Sequence, residues 1–251
     1  MIRTTFDTTS RRRLSARIVA FGFTAVALLT PIASGATISY GDFGPVPPGV
    51  SFLDVEESSG TDPVPLYGSP TPFATGLDFN PANFTASSSG GGADLTDGQL
   101  NFTVMSNQAI SNLNLFERGD FTLAGAGTAV TEVEAGAIIL ATVTAINGVN
   151  VAPINLVPVN ASVGFNLAAN PGLVQPWSLG LGLNVAAQVP GATKIDVVVN
   201  NAMVAVSEPS SVAFIAKKDF TIRVEVVPEP TTTLLLAIVS VLMGAAVRKR
   251  T

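Results

Sequence analysis

Asp219-Phe220-Thr221-Ile222-Arg223-Val224-Glu225-Val226-Val227 is the stretch that decides the fold class of this chain. Successive side chains of an extended strand point to opposite faces. The period of two therefore puts Phe220, Ile222, Val224 and Val226 on a buried face and Thr221, Arg223 and Glu225 in water. The same alternation recurs upstream. Residues 99–105 set Leu100, Phe102 and Val104 against Asn101 and Thr103. Leu179-Gly180-Leu181-Gly182-Leu183-Asn184-Val185 alternates strictly, with glycines forming a bare strip that another backbone or a ligand can approach. The β-branched run 137–146 ends at Asn147-Gly148, a strong hairpin signal.

The segments between read less sharply. Residues 37–76 are rich in Pro, Gly and Ser, with short apolar pieces such as Val50-Ser51-Phe52-Leu53 able to pair as strands. Ser87-Ser88-Ser89-Gly90-Gly91-Gly92 reads as a flexible loop. Residues 121–133 are strand-like with Gly interruptions. Asn200-Asn201, between runs 193–200 and 202–206, reads as a turn. No capped amphipathic helix is visible in this body. Gly (23) and Pro (17) suit many short strands joined by turns. The expected fold is mainly β, an antiparallel β-sandwich of jelly-roll-like type. About 190 residues between the two ends suffice for one domain with a sizeable core.

Charge is distributed unevenly. Between Thr37 and Pro230 five basic residues, Arg118, Lys194, Lys217, Lys218 and Arg223, stand against 17 acidic ones, a formal charge of −12. Such a body repels phosphate backbones, which argues against nucleic acid as a partner. It suits an exported soluble domain or one that holds divalent cations.

The chain has no Cys and no His. Thiolate nucleophiles, His general bases, Ser-His-Asp triads and His-ligated zinc are therefore excluded. No Ser-x-x-Lys spacing and no Gly-rich phosphate loop occurs, so no enzyme activity and no cofactor is expected. Four weaker candidates remain. Glu132 and Glu134 share a strand face at i, i+2, which suits a glycosidase pair, a cation site or a solvated surface. Asp94-Leu95-Thr96-Asp97-Gly98 offers oxygen ligands for calcium or forms a turn before the next strand, and it lacks the spacing and closing Glu of an EF-hand. Trp177, with Tyr40 and Tyr67, suits sugar stacking or the core. Asn83-Phe84-Thr85, Asn101-Phe102-Thr103 and Asn160-Ala161-Ser162 match the N-glycosylation pattern, which is short and carries little weight by itself.

The two ends read as topology. Arg11, Arg12, Arg13 and Arg17 precede an apolar run from Ile18 to Leu29, Pro31 breaks it, and Ala33-Ser34-Gly35-Ala36 follows. This is a secretory signal peptide over residues 1–36, with cleavage between Ala36 and Thr37 by signal peptidase after passage through the translocon. Ser10-Arg11-Arg12-Arg13-Leu14 also resembles a twin-arginine signal, so the export route stays open. An uncleaved anchor is the alternative, although the apolar run falls short of the roughly 20 residues that span a bilayer. At the other end TTTLLLAIVSVLMGAAV, residues 231–247, is free of charge and reads as a single transmembrane helix. Arg248, Lys249 and Arg250 follow and stay cytoplasmic by the positive-inside rule. The body between then lies across the membrane.

Val227-Pro228-Glu229-Pro230 directly precedes that apolar run. Its two prolines continue neither a strand nor a helix, which leaves extended backbone at the membrane surface. Motif, short hydrophobic helix and basic terminus together resemble the PEP-CTERM sorting signal over residues 227–251. The resemblance implies an exosortase partner that recognises Pro228-Glu229-Pro230 and removes the tail. It implies a transient inner-membrane anchor, then residence at the cell surface or in the extracellular matrix, in bacteria that make extracellular polysaccharide. Leu66-Tyr67-Gly68-Ser69-Pro70-Thr71, Leu77-Asp78-Phe79-Asn80-Pro81 and Asp97-Gly98-Gln99-Leu100-Asn101-Phe102 resemble an ectodomain that recurs among such proteins, without an assigned activity. A plain single-pass anchor after a Pro-rich stalk is the bland alternative. No LPxTG sequence supports a sortase. The expected organisation is a leader over 1–36, a β-rich ectodomain over 37–226 and a sorting tail over 227–251. The expected role is structural or interactive in biofilm or exopolysaccharide, with a carbohydrate-binding module or a glycan-active enzyme as alternatives. N-terminal sequencing of exported material should find Thr37 first; a mature chain that still begins at Met1 contradicts the leader.

Overall fold

The computed structural model describes residues 36–46 and 49–227. The leader, the sorting motif beyond Val227, the apolar run and the basic cluster lie outside the described residues. Two antiparallel sheets form a sandwich. The seven-stranded sheet is built from β1 (Thr37–Val46), β2 (Val50–Ser58), β6 (Gly92–Ser106), β12 (Ala192–Ser207), β8 (Glu132–Ile146) and β10 (Val159–Asn166), in that order, with β9 (Val149–Asn155) also on β8. The six-stranded sheet has the order β11 (Gly172–Asn184), β7 (Ala109–Gly125), β13 (Ser211–Val227), β4 (Gly76–Phe79), β3 (Thr71–Phe73), with β5 (Thr85–Ser89) also on β13. One helical turn, α1 (Val185–Gln188), is capped by the Asn184 side chain.

The alternating stretches behave as their periodicity demands. Phe220, Ile222 and Val224 of β13, Leu100, Phe102 and Val104 of β6, and Leu179, Leu181 and Leu183 of β11 are all buried between the sheets. Asn147 and Gly148 both take positive φ, 48° and 75°, which gives the β8–β9 hairpin its tight turn.

Four expectations are corrected. Asn200-Asn201 is no turn: β12 runs straight through it, because Val197, Val199, Asn201, Met203 and Ala205 keep one inward phase. Ser87-Ser88-Ser89 is not a flexible loop. Its residues belong to β5, paired with β13, and only Gly90-Gly91 separate them from β6. Residues 94–98 form no turn either, since they lie within β6 and pair with β12 from Asn201 to Ala205. Residues 121–133 divide into the end of β7, a loop, and the start of β8.

Strand β13 carries a bulge that periodicity alone does not announce. Lys217 pairs with Gly119 of β7 and Asp219 with Arg118, so Lys218 is an extra residue. The bulge switches the phase of the strand. Ala213, Ile215 and Lys217 face inward before it, and Phe220, Ile222 and Val224 face inward after it.

Burying an Ile side chain contributes about 1.5–3 kcal/mol. Ile222→Asp replaces that gain with an unpaired charge in the core, so we expect a loss of more than about 4 kcal/mol and unfolding or a severe drop in Tm. Glu225, whose exposed carboxylate accepts from the amides of Asn112 and Asn114, should tolerate Glu225→Gln with little change. Equal small shifts in a thermal melt would overturn the assigned strand phase.

Candidate functional site

Three polar residues stand on otherwise apolar inward faces. On β7 Glu117 follows Leu113 and Leu115; on β13 Lys217 follows Ala213 and Ile215; on β12 Asn201 follows Val197 and Val199. Pairing and sheet order bring the three together between the sheets. Lys217 Nζ lies 2.9 Å from Glu117 Oε2, and both side chains are essentially inaccessible to water, at 0% and 1% exposure. The amide Nδ2 of Asn201 donates to the other carboxylate oxygen, Glu117 Oε1. The Tyr67 hydroxyl donates to Asn201 Oδ1 at 2.6 Å and lies 3.1 Å from the Gly98 carbonyl oxygen. One carboxyl group thus touches an amine through one oxygen and a primary amide through the other.

The surroundings are apolar and aromatic. Lys217 Nζ stands 4.3 Å from the ring centre of Phe84, 5.0 Å from that of Phe220 and 5.4 Å from that of Tyr67. Beyond its approach to Glu117, Nζ has no well-directed hydrogen bond. Burial pushes the Lys217 amine below the ordinary lysine range, and the neighbouring Glu117 carboxylate only partly opposes it. Burial first, then the charges of Glu117, Glu57 and Asp97, hold the Tyr67 phenol well above its ordinary value, so it remains a donor.

Tyr67 arrives on the loop between β2 and β3, and a second buried carboxylate anchors that loop. Glu57 of β2 accepts the backbone N–H groups of Leu66, Tyr67 and Gly68 and the Tyr40 hydroxyl at 2.6 Å. Burial, then the bond to Glu57, raises the Tyr40 phenol. Two glycines make room for the cluster. A Cβ on Gly98 would meet Phe84 Cε2 at 2.6 Å and Tyr67 Cε2 at 3.0 Å. A Cβ on Gly119 would meet the Ala216 carbonyl oxygen at 1.8 Å.

The residues singled out from sequence fall elsewhere. Trp177 is 4% exposed and donates its indole N–H to the Ala216 carbonyl at 3.1 Å, so it is a core residue; Tyr67 is fully buried, and no stacking platform forms from these rings. Glu132 and Glu134 share the outer face of β8. Their neighbours across β10 are Asn166 and Gly164, and across β12 Val206 and Val204, so no carboxylate faces them from a paired strand. Burial, then the charge of Glu134, raises the Glu132 carboxyl. Asp97 Oδ1 is taken up by Ser59 Oγ, by the N–H groups of Gly60 and Thr61 and by Thr61 Oγ1, while Asp94 Oδ2 accepts the Ser87 N–H. These aspartates tie loops to the sheet. Among the described residues no group of three or more Asp, Glu, His or Cys is placed to hold a metal ion. Asn83 and Asn160 are exposed and Asn101 lies half-buried on the outer face of β6. Ala36 precedes β1, Thr37 begins it and Val227 ends β13, whereas Pro228, Glu229, Pro230, Arg248, Lys249 and Arg250 lie outside the described residues.

The outer face of the seven-stranded sheet holds a shallow groove of about 310 Å³. Asp54 and Glu56 of β2, Asn101 and Thr103 of β6, Asp196 of β12 and Thr142 of β8 line it, and Thr103 Oγ1 donates to Asp196 Oδ1 at 2.7 Å. The bare strip on β11 is narrower than the sequence suggests. The Phe116 ring leans over Gly180, and Asn114 Oδ1 comes within 3.0 Å of where a Gly182 Cβ would stand.

No protein-family model matches the chain, and a search of curated proteins finds no match. Solved structures give distant likenesses. TmCBM61, solved in complex with beta-1,4-galactotriose, is 10% identical over 77% of this chain and 90% of its own, with a TM-score of 0.23. The infectious bursal disease virus VP2 subviral particle is 14% identical over 72% of this chain and 52% of its own, also at 0.23. Tailspike protein 4 of bacteriophage CBA120 is 15% identical over 75% of this chain and 20% of its own, at 0.17. At these TM-scores the likenesses say nothing about what this chain does.

Sequence reasoning missed Lys217, Glu117 and Asn201, and one signal was present for two of them: Glu117 and Asn201 each interrupt an apolar stripe without breaking its phase, whereas Lys217 stands where the bulge switches it. The packing around them is tight enough to test. Gly98→Ala drives a methyl group into the Phe84 and Tyr67 rings, and overpacking of this kind costs about 1–3 kcal/mol. Chemical denaturation should show that loss with an unchanged m-value.

Proposed function

We propose that this chain is an exported surface or extracellular-matrix protein, sorted by an exosortase through its C-terminal tail, whose β-sandwich has a structural or interaction role. The observation that carries the reading is the sequence of the tail: Val227-Pro228-Glu229-Pro230, then 17 residues without a charge, then Arg248-Lys249-Arg250. Two prolines in that motif continue neither a strand nor a helix, which favours an extended segment that a processing enzyme can reach.

A carbohydrate-binding role is the second reading, and the groove on the outer face of the seven-stranded sheet favours it. Its carboxylates, amide and hydroxyls are hydrogen-bonding partners for the hydroxyls of an extracellular polysaccharide. The burial of Trp177 and Tyr67 weighs against a stacking mode of binding.

Replacing Glu229 by Ala, or Pro228 and Pro230 together, should leave export across the inner membrane intact and block loss of the tail. Immunoblotting of membrane and released fractions should then show the precursor accumulating in the membrane. A variant processed and released like the wild type would overturn exosortase sorting of this chain.

A further inference from the structure

We propose that Lys217 and Asn201 are joined by an intramolecular isopeptide bond, formed with Glu117 as the proton-transfer group, that cross-links the two sheets. The proposal is independent of how the chain is sorted. It stands on four observations. First, the amine and the amide nitrogen sit on the two oxygens of one carboxyl group, at 2.9 Å for Lys217 Nζ and within hydrogen-bond reach for Asn201 Nδ2. Second, the Asn201 carbonyl oxygen accepts from Tyr67, the donor an oxyanion on that atom needs. Third, Phe84, Phe220 and Tyr67 wall the amine, so water does not compete for the carbonyl carbon. Fourth, Lys217 and Glu117 belong to one sheet and Asn201 to the other.

The chemistry closes without a further reagent. Proton transfer within the Lys217–Glu117 pair leaves a neutral amine and a carboxylic acid. Burial favours that form, because it carries no charge. The Nζ lone pair attacks Cγ of Asn201, and the carbonyl electrons move onto Oδ1, where the Tyr67 O–H meets them. Glu117 gives its proton to Nδ2 and takes one from Nζ. The carbonyl re-forms, the Cγ–Nδ2 bond breaks and ammonia leaves. The product is a Cγ–Nζ amide beside a protonated Glu117. Bond formation thereby removes the buried charge pair.

The cross-link has a direct reading in mass. Asn201 and Lys217 both lie between Lys194 and Lys218, with Met203 between them. Cleavage of the detergent-extracted full chain with cyanogen bromide after Met203, followed by trypsin, separates residues 195–203 from the segment that carries Lys217. With the bond present, 195–203 and 204–218 should stay joined, lighter than the two peptides together by one ammonia, about 17 Da. In Glu117→Gln and Lys217→Met the two peptides should come apart at full mass. Separate wild-type peptides with Asn201 intact would overturn the proposal. So would an ammonia loss that maps to another residue, such as Asn147 before Gly148, while the two peptides separate. A cross-link that persists undiminished in Glu117→Gln would overturn the role of Glu117. The wild-type digest decides the main point even if a variant does not fold.

Discussion

The buried meeting of Lys217, Glu117 and Asn201 is the constraint around which this sandwich is arranged. Taking an ammonium and a carboxylate out of water costs several kcal/mol per ion, and their attraction repays this only with good geometry and further hydrogen bonds. Here Asn201 supplies one such bond and Tyr67 orients Asn201 in turn. The rest of the local architecture serves that placement. The extra residue Lys218 turns Lys217 inward while keeping Phe220, Ile222 and Val224 in the core. Gly119 allows β7 to approach the bulge, and Gly98 leaves space for the rings of Phe84 and Tyr67. Glu57 fixes the loop that carries Tyr67 by gathering three backbone N–H groups.

This arrangement also gives the body a means of cohesion that its composition otherwise lacks. The chain has no Cys, so no disulfide can hold the two sheets together. Apolar burial supplies most of the stability, and Tyr67, Phe79, Phe84 and Phe220 form one edge-on aromatic cluster at the centre. The buried ion pair and its amide partner join the sheets beside that cluster, and Ser88–Ser207 and Thr96–Thr85 hydrogen bonds join them elsewhere. Fixed donors and acceptors at these points set how the sheets face each other, which apolar packing alone specifies less sharply.

Much of the fold was legible because strands declare themselves by alternation. Residues 99–105, 179–184 and 219–225 each keep a strict period and bury the face that period marks, while Val226, beyond a register shift, is only partly buried. The readings that failed rested on local composition. Asn200-Asn201 carries turn-forming residues, yet β6 and β8 pair with it on both sides, and those ladder hydrogen bonds outweigh its turn preference. Asp94 and Asp97 suggested calcium because isolated carboxylates look free. In the fold Ser59, Gly60, Thr61 and Ser87 already occupy them. Trp177 was open between platform and core until β13 supplied the Ala216 carbonyl for its indole N–H.

By itself, then, the sequence determined the β class, the inward faces of the regular strands and the Asn147-Gly148 hairpin. All of these depend on residues close together in the chain, through side-chain period, turn chemistry and hydropathy. The cluster of Lys217, Glu117, Asn201 and Tyr67 was decided only by the tertiary structure. Its members are separated by up to 150 residues, and no local rule ties them to one another. A lone lysine, glutamate or asparagine in a strand reads as a solvent-facing residue, since burying its polar group is costly unless a partner waits. Strand order and one bulge supplied those partners, and so turned three polar residues into the centre of the core.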